Sequence, residues 1–245
     1  RGVDCRFAEG VFAGIIGPNG SGKTTFLKIM TGELTPARGE VLLDGQPVAG
    51  MARRQIARMA AVVPQGQELA FRFTVLELVL MGRSPHLGLL QFETRRDMEA
   101  ARWAMEMTGI ERLASRGLNE LSGGERQRVF IARALAQETP LILMDEGTAF
   151  LDIRHQVEVM ELLRRLNEGS GATVVVVTQD ISLASAYCQR IVLFNDGRVH
   201  SAGEAERVIT AANIEEVYGL KVLVDAHPET GRPRVTVRGR VTPEA

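Results

Sequence analysis

Residues 17–25, GPNGSGKTT, have the residue types and the spacing of a phosphate-binding loop. They follow the apolar run VFAGII and fit the pattern G-x-x-x-x-G-K-[ST]. Glycines allow successive backbone N–H groups to point at phosphate oxygens, and the N-terminus of the next helix adds positive charge. We expect Lys23 to reach the β- and γ-phosphates and Thr24 to hold Mg²⁺ through its hydroxyl. The candidate nucleotide contacts in this loop are Gly17, Pro18, Asn19, Gly20, Ser21, Gly22, Lys23, Thr24 and Thr25.

A dinucleotide-binding loop is the main alternative for a glycine-rich turn of this kind. Its pattern, G-x-G-x-x-G, fails because Gly20 and Gly22 are followed by Thr25 at the third glycine position. A phosphate loop alone is compatible with kinases, GTPases and many ATPases.

A second anion site is predicted at LSGGERQ, residues 121–127, which precede a strongly helical run. Ser122, Gly123 and Gly124 can present a hydroxyl and bare backbone N–H groups at the N-terminus of that helix. Ser122 is also a good N-cap. One chain has no need of two sites for a γ-phosphate, so the second site needs an explanation.

Two acids end the apolar run LILMDE, residues 141–146. Asp145 is placed to bind Mg²⁺ through water, and Glu146 is placed to polarise an attacking water molecule. Capping of a helix is the plain alternative for an acid after a strand, but two adjacent acids in this order argue against it.

Strand and helix patterns alternate along the chain, which implies a mostly parallel sheet covered by helices. Between about residue 70 and residue 135 only helices are predicted, which indicates a helical insertion. The segment 221–238 has the pattern of a hairpin. The predicted strands are 11–16, 40–43, 60–63, 141–144, 173–177 and 190–194, and the predicted helices are 23–31, 75–82, 94–108, 123–137, 152–168 and 181–188.

Composition is that of a globular protein, because 45% of the 245 residues are hydrophobic and 24% are charged. A net charge of −1 gives no reason to expect nucleic acid as a partner. Cys5 and Cys188 lack metal-type spacing and fit a reducing compartment. No apolar run reaches the roughly 20 residues that span a bilayer, and the first residues lack a signal peptide, so we expect a cytoplasmic protein.

Taken together, GPNGSGKT, LSGGERQ and LILMDE resemble the ATP-binding-cassette (ABC) ATPase subunits over essentially the whole chain. The resemblance implies an α/β P-loop NTPase fold of the RecA-like kind, in one domain over residues 1–245, with an inserted helical subdomain and a peripheral antiparallel part. It implies ATP and Mg²⁺ as cofactors. It also implies a head-to-tail homodimer, in which each signature sequence, including Gln127, completes the ATP site of the other subunit.

The resemblance also assigns roles to residues that would be unremarkable alone. Gln65 in VVPQ matches a glutamine that links the metal, the attacking water and the helical subdomain, and Asp152 in AFLD matches a dimer-contact loop. Gln179 matches a catalytic position, although the family places there a histidine that touches the γ-phosphate. The implied catalytic residues are Glu146, Gln179 and Gln65, and the implied metal ligands are Thr24, Gln65 and Asp145.

Further departures from the family lie beside the catalytic acid and ahead of the phosphate loop. Gly147 replaces a usual proline, and Ala149 and Phe150 replace small polar and apolar residues. No Tyr or Trp precedes the phosphate loop to stack on adenine, and little room exists there for an edge strand, so we expect the chain to start inside a fold. These changes permit reduced activity.

A narrower resemblance lies in FTVLELVLMGRSPHLG, residues 73–88, which is similar to the ATPases of bacterial importers for ferric siderophores, haem and cobalamin. It implies transmembrane permease subunits and, indirectly, a substrate-binding protein as partners. It implies a peripheral position on the cytoplasmic face of the inner membrane. The alternatives are a catalytically weak nucleotide-binding module and a soluble ABC ATPase of iron–sulfur assembly.

Three plainer interpretations concern surface and core. We expect Trp103 and the methionines of 94–108 to belong to the core of the helical subdomain. His86 is expected in a surface loop, not as a metal ligand. The arginines at 53, 54 and 58 are expected on a solvated helix face.

Overall fold

The structure, a computed structural model, describes residues 2–64, 71–88, 91–146 and 152–241. Its strands are β1 Phe12–Ile16, β2 Leu42–Leu43, β3 Gln46–Pro47, β4 Ala60–Val63, β5 Leu141–Asp145, β6 Thr173–Val177, β7 Arg190–Asn195, β8 Arg198–Gly203, β9 Leu220–Ala226 and β10 Pro233–Val241. Its α-helices are α1 Lys23–Met30, α2 Arg53–Met59, α3 Val75–Leu80, α4 Arg95–Thr108, α5 Gly123–Ala136, α6 Ile153–Ser170, α7 Ile181–Tyr187, α8 Ala205–Val208 and α9 Ala211–Tyr218. Short 3₁₀ helices lie at Met81–Arg83, Glu111–Leu113 and Leu118–Glu120.

The main sheet has the strand order β4-β5-β6-β1-β7-β8. The first five strands are parallel, and β8 runs antiparallel to β7. Val174 to Val177 of β6 are fully buried, as expected for β-branched residues in a strand covered on both faces. The predicted α/β fold with a mostly parallel sheet is confirmed. Because β5, β6 and β1 are neighbours, the segments that follow their carboxyl ends meet at one edge of the sheet.

Outside this sheet, the sequence patterns were less informative. The strand predicted at 40–43 is reduced to β2, which pairs only with β3 in a separate two-stranded sheet. Neither β8 nor the helices α8 and α9 were predicted. The side chains of β8 are mixed in character and only partly buried at the sheet edge, so the strand carries little alternation in its sequence.

Between β4 and β5 the described residues form helices, with α4 and α5 packed against α3. Each of these three helices begins with a capping box, formed by Thr74 and Glu77 in the first of them. At the other end of the chain, β9 and β10 pair antiparallel where the hairpin was expected. The division of the chain into a core, a helical subdomain and a hairpin stays a prediction.

The expectation for Trp103 was wrong, because this side chain is 43% exposed. The buried face of α4 is formed by Ala101, Ala104, Met105 and Thr108. These positions recur at intervals of three and four, and position 103 falls on the other side of the helix. Composition alone could not separate the two faces.

The arginines of α2 are exposed, as expected for a solvated helix face, and two of them also contact a neighbouring loop. The Nε atoms of Arg54 and Arg58 donate to the Pro85 carbonyl at 2.7 Å and 2.9 Å. This exposed helix face therefore also holds the loop after the 3₁₀ helix Met81–Arg83. In the same loop His86 is half-buried, with Nε2 2.8 Å from the Gln137 carbonyl.

Arg83 is a fully buried cation that ties three helical elements together. Its guanidinium donates to Asp97 at the start of α4 at 2.9 Å, and to the Ala136 carbonyl and Glu138 at the end of α5 at 2.7 Å each. Burial would raise the pKa of Asp97, but hydrogen bonds from Thr94 and the Arg83 guanidinium outweigh it and lower this pKa to about 2. Asp97 is therefore ionised at neutral pH, and the Arg83 guanidinium compensates its buried negative charge.

We expect Arg83→Met to lower the free energy of unfolding by about 3–5 kcal/mol, because it leaves the Asp97 carboxylate buried without its cation. Urea denaturation measures the change. Arg95→Met is the matched control, since Arg95 is 93% exposed in its pair with Glu99 and should contribute less than about 1 kcal/mol. Equal effects of the two substitutions would contradict the assignment.

Candidate active site

The phosphate loop joins the buried strand β1 to α1. Gly17 has a φ of 148°, and a Cβ added there would lie 2.4 Å from the Phe194 carbonyl oxygen of β7. Only glycine fits both the backbone conformation and this close approach. The turn after β7 supports the loop from the same side, because the Gly197 amide donates to the Ser21 carbonyl at 2.9 Å. Sequence reasoning missed this turn, although the dipeptide Asp196-Gly197 is a typical hairpin signal.

Lys23 is folded back into the loop and is only 4% exposed. Its ammonium donates to the carbonyls of Gly17 and Pro18, each at 2.9 Å, and lies 3.8 Å from Oε1 of Glu146. Burial lowers the pKa of Lys23, and the carboxylates of Glu146 and Asp145 oppose that shift. The cation is thus surrounded by oxygen atoms that an anionic ligand could replace.

Two further oxygens of the loop are available for a ligand. Thr24 Oγ1 donates to Asp145 Oδ1 at 3.1 Å, which brings the predicted metal ligands of α1 and β5 together. Burial raises the pKa of Asp145, the hydrogen bond from Thr24 lowers it, and the neighbouring Glu146 raises it. Ser21 Oγ is buried and has no hydrogen-bond partner among the described residues, so it can accept or donate to a bound group.

Glu146 directly follows β5 and lies beside the end of the neighbouring strand β6. It has a φ of 44°, and its amide donates to the Val177 carbonyl at the end of β6 at 3.0 Å. Gln179, two residues beyond β6, donates from Nε2 to Glu146 Oε2 at 2.9 Å. One carboxylate is therefore approached by the Lys23 ammonium on one oxygen and by the Gln179 amide on the other.

The remaining predicted residues of the loop lie at its rim. Asn19, Gly20 and Thr25 are exposed, so they are open to a ligand that enters the loop. Gln65 and the departures at 147, 149 and 150 fall outside the described residues.

The signature residues lie at the N-terminus of α5. Ser122 is the N-cap, and Glu125 completes a capping box by accepting from its amide and hydroxyl at 2.8 Å each. Gly123 is exposed, whereas Gly124 is buried against His155 of α6. Gln127 is 9% exposed, and its Nε2 has no hydrogen-bond partner in the described part of the chain.

The signature residues at the start of α5 make no hydrogen bond to the phosphate loop in the described part of the chain. Across the described residues, no hydrogen bond links Ser122 or the two glycines after it to residues 17–25. Asp152, the N-cap of α6, holds His155, with its Oδ1 2.8 Å from Nδ1. Sequence reasoning missed His155, although its spacing of three from Asp152 on a helix was readable.

The fold and the site define a P-loop nucleotide-binding protein. The family model for ABC transporters matches residues 1–149. The chain is 40% identical over 235 residues to the ferric enterobactin transport ATP-binding protein FepC of Escherichia coli, which covers 96% of this chain and 87% of that protein. It is 44% identical over 241 residues to the hemin import ATP-binding protein HmuV of Pseudomonas putida, with 96% and 92% covered. The chain belongs to the ABC transporter family.

Other relatives are longer than this chain. The chain spans 58% of the cobalamin import ATP-binding protein BtuD of Halobacterium salinarum, with 42% identity over 234 residues, or 96% of this chain. Among solved structures, a metal-chelate type ABC transporter in an inward-facing conformation matches with a TM-score of 0.83 and 30% identity, covering 94% of this chain and 88% of its own. A bacterial ABC transporter cassette solved as a dimer matches with a TM-score of 0.73 and 36% identity, with 82% and 88% covered.

No helix among the described residues is both long enough and apolar enough to cross a bilayer.

Proposed function

We propose that this chain is the ATP-binding and ATP-hydrolysing subunit of an importer for an iron–siderophore, haem or cobalamin. The observation that carries the proposal is the meeting of Lys23, Glu146 and Gln179 at one sheet edge, beside the phosphate loop. The names of FepC, HmuV and BtuD support the substrate class. Substrate selection belongs to other subunits in such a system.

Thr24 and Asp145 suit a Mg²⁺ ion that arrives with ATP. Both offer oxygen atoms, which this cation prefers, and they already lie within hydrogen-bond distance of each other. A cation beside Asp145 would offset the burial that raises its pKa. When bound, the ion would supply positive charge that offsets the negative charge developing on the phosphates. Gln65 would complete this set in the family pattern.

Glu146 polarises the water that attacks the γ-phosphate. Its carboxylate is fixed at the end of β5 by the backbone bond to Val177, and its two oxygens face Lys23 and Gln179. Once the γ-phosphate recruits the Lys23 ammonium, Glu146 loses that cation and becomes a stronger acceptor for a water proton. The Gln179 amide keeps the carboxylate oriented through this exchange.

Nucleotide binding draws two copies of the chain together head to tail. Gly123 offers its N–H group at the exposed N-terminus of α5, beside the Ser122 amide and hydroxyl, which Glu125 holds until a ligand replaces it. The described phosphate loop makes no hydrogen bond to these groups. Gln127, in the same signature, contributes a buried amide. Asp152, whose side chain is 64% exposed, would face the partner copy. The relative solved as a dimer supports this assembly.

An apolar groove on the helical region is the surface that we assign to a permease subunit. Phe71 and Phe92 are 75% and 87% exposed near it, and exposed aromatic groups of this size mark interaction surfaces. Through the permease, the chain would lie peripherally on the cytoplasmic face of the inner membrane, and a substrate-binding protein would act on the permease. The groove is lined by Phe73, Glu77, Leu80, Met81, Ser84, Leu87 and Glu93.

Affinity purification from native membranes tests the transport assignment. We expect a polytopic membrane protein to copurify with the chain. Met81→Glu should abolish copurification without changing ATP binding, whereas Trp103→Glu, at an exposed position on α4, should not. Recovery with iron–sulfur assembly proteins and no membrane protein would contradict the assignment.

Gln179→His should raise the rate of ATP hydrolysis by roughly one to two decades with little change in ATP affinity. A histidine can carry positive charge as negative charge develops on the γ-phosphate, which an amide cannot do. Gln179→Ala is the matched control and should be slower than the parent, because it removes the donor to Glu146. If Gln179→His is no faster in the reconstituted transporter, glutamine is a fully working substitute.

A further inference from the structure

The second signature glycine is explained by a neighbouring side chain. Gly124 lies in the first turn of α5 with an ordinary negative φ, so its backbone does not demand glycine. A Cβ added there would lie 2.6 Å from Cδ2 and 2.9 Å from Nε2 of His155. At Gly123 an added Cβ would meet nothing within 4 Å. The imidazole of His155 therefore fills the space that any side chain at position 124 would need.

The other side of this imidazole is held by Asp152. Asp152 Oδ1 accepts the backbone N–H of His155 at 2.9 Å and lies 2.8 Å from its Nδ1. The pKa of Asp152 is lowered by the His155 backbone N–H and then by the ring, so this carboxyl is ionised. Because a carboxylate can only accept, Nδ1 carries the hydrogen, and the Nε2 edge is turned to Gly124. The ring thus bridges the caps of two helices.

A second bridge joins the same two helices one turn further on. Arg128 of α5 pairs with Glu158 of α6, and Arg154 donates to the same carboxylate at 3.0 Å. Residues 124 and 128, and residues 155 and 158, are spaced to lie on one face of each helix. The N-terminal turns of α5 and α6 are therefore locked at two levels, and the level nearest the signature is the contact between His155 and Gly124.

We propose that His155 is a positioning residue that fixes the signature end of α5 to Asp152 in the same subunit. The nucleotide of a partner copy would bind at Ser122 and Gly123, and Asp152 follows Glu146 by only six positions in the sequence. His155 therefore couples the signature, which would bind the nucleotide of the partner copy, to the segment that follows Glu146, which would act on the subunit's own nucleotide. This inference rests on the proposed function, because the ligand of α5 is the nucleotide of a second copy.

The first test measures ATP-driven dimerisation by light scattering in a Glu146→Gln background. His155→Ala should raise the ATP concentration for half-maximal dimerisation by about tenfold, a typical coupling between residues in contact. His155→Asn should stay within about threefold of the parent, because its amide can donate to Asp152 as Nδ1 does. Binding of a fluorescent ATP analogue to the monomer should be unchanged in both, since their phosphate loops are intact.

His200→Ala is the matched control, because His200 also lies beside a carboxylate, 3.8 Å from Glu216, but belongs to β8. It should dimerise as the parent does. If His155→Ala fails to fold by thermal melting, His155→Leu replaces it, because leucine fills the space of the ring but cannot donate to Asp152, and it should show the same loss. Parental dimerisation by every His155 variant would overturn the inference.

The second test is a suppressor cycle. Gly124→Ala should impair dimerisation by more than about tenfold, and combining it with His155→Ala should bring dimerisation closer to the parent, because the new methyl group then has space. Adding His155→Ala to Gly123→Ala should not improve dimerisation. Absence of rescue at position 124, or equal rescue at both glycines, would overturn the inference.

The two tests also separate this inference from the proposed function. A parent that stays monomeric with saturating MgATP would contradict the head-to-tail dimer, and the inference would fall with it. A parent that dimerises normally while His155→Ala dimerises at the same ATP concentration would refute the role of His155 alone.

Discussion

Glu146→Gln should slow ATP hydrolysis by about 10²–10⁴-fold, the usual contribution of a positioned general base. The substituted amide keeps the shape of the carboxylate at the end of β5 but cannot take a proton from water. Binding of MgATP should persist, because Lys23 and the phosphate loop are untouched. Release of inorganic phosphate and equilibrium nucleotide binding measure the two effects on the same sample.

Glu99→Gln is the control for this substitution, since Glu99 lies on α4 and is 60% exposed in its surface ion pair. It should hydrolyse ATP at the parental rate. A Glu146→Gln variant with more than about a tenth of the parental rate would mean that another group activates the water.

Lys23→Ala should weaken MgATP binding by about 10- to 150-fold, which corresponds to the roughly 1.5–3 kcal/mol of a hydrogen bond to a charged group. The ammonium is buried and already poised on the carbonyls of Gly17 and Pro18, so little reorganisation is needed for it to reach a phosphate. Titration calorimetry measures the affinity.

Lys28→Ala is the matched control, because Lys28 is on the same helix, in its last turn, but exposed. We expect a change of less than about threefold, because Lys28 is exposed and solvent screens its effect on Asp145. Equal losses at the two lysines would indicate a general effect of charge and would contradict a specific phosphate contact by Lys23.

The central part of the fold was predictable because its strands are buried on both faces. Val174 to Val177 form an unbroken β-branched run, and β1 and β5 are similarly apolar, so each was recognisable without its neighbours. The strand β8 and the helices α8 and α9 were not, because their partly polar residues fold where β7 and the rest of the core provide a surface.

The site was predictable where its residues are contiguous. The phosphate loop lies on one short segment, and Asp145 and Glu146 are adjacent in the sequence. The contact from Gln179 to Glu146 joins residues 33 positions apart and depends on β5 and β6 being neighbours in the sheet. The sequence identified Gln179 as a departure from the family pattern but did not indicate that its amide would donate to Glu146.

No local sequence pattern indicates that Gly124 packs against His155. Each residue has a plain local explanation, as a signature glycine and as a residue in the first turn of a capped helix. Only the packing of α5 against α6 shows that the missing side chain of Gly124 leaves the space that the His155 imidazole fills. Complementary shape between distant segments is set by tertiary structure and is not encoded in spacing along one of them.

Mixing two inactive variants tests the shared site most directly. One subunit carries Lys23→Ala, which damages its phosphate loop, and the other carries Gly123→Asp, which places a carboxylate at the signature where the fold has open space for it. In a head-to-tail dimer, a mixed pair restores one intact site from the phosphate loop of the second subunit and the signature of the first. We predict that the mixture hydrolyses ATP well above the sum of the two variants measured separately. A rate equal to that sum would contradict a nucleotide site shared between two copies.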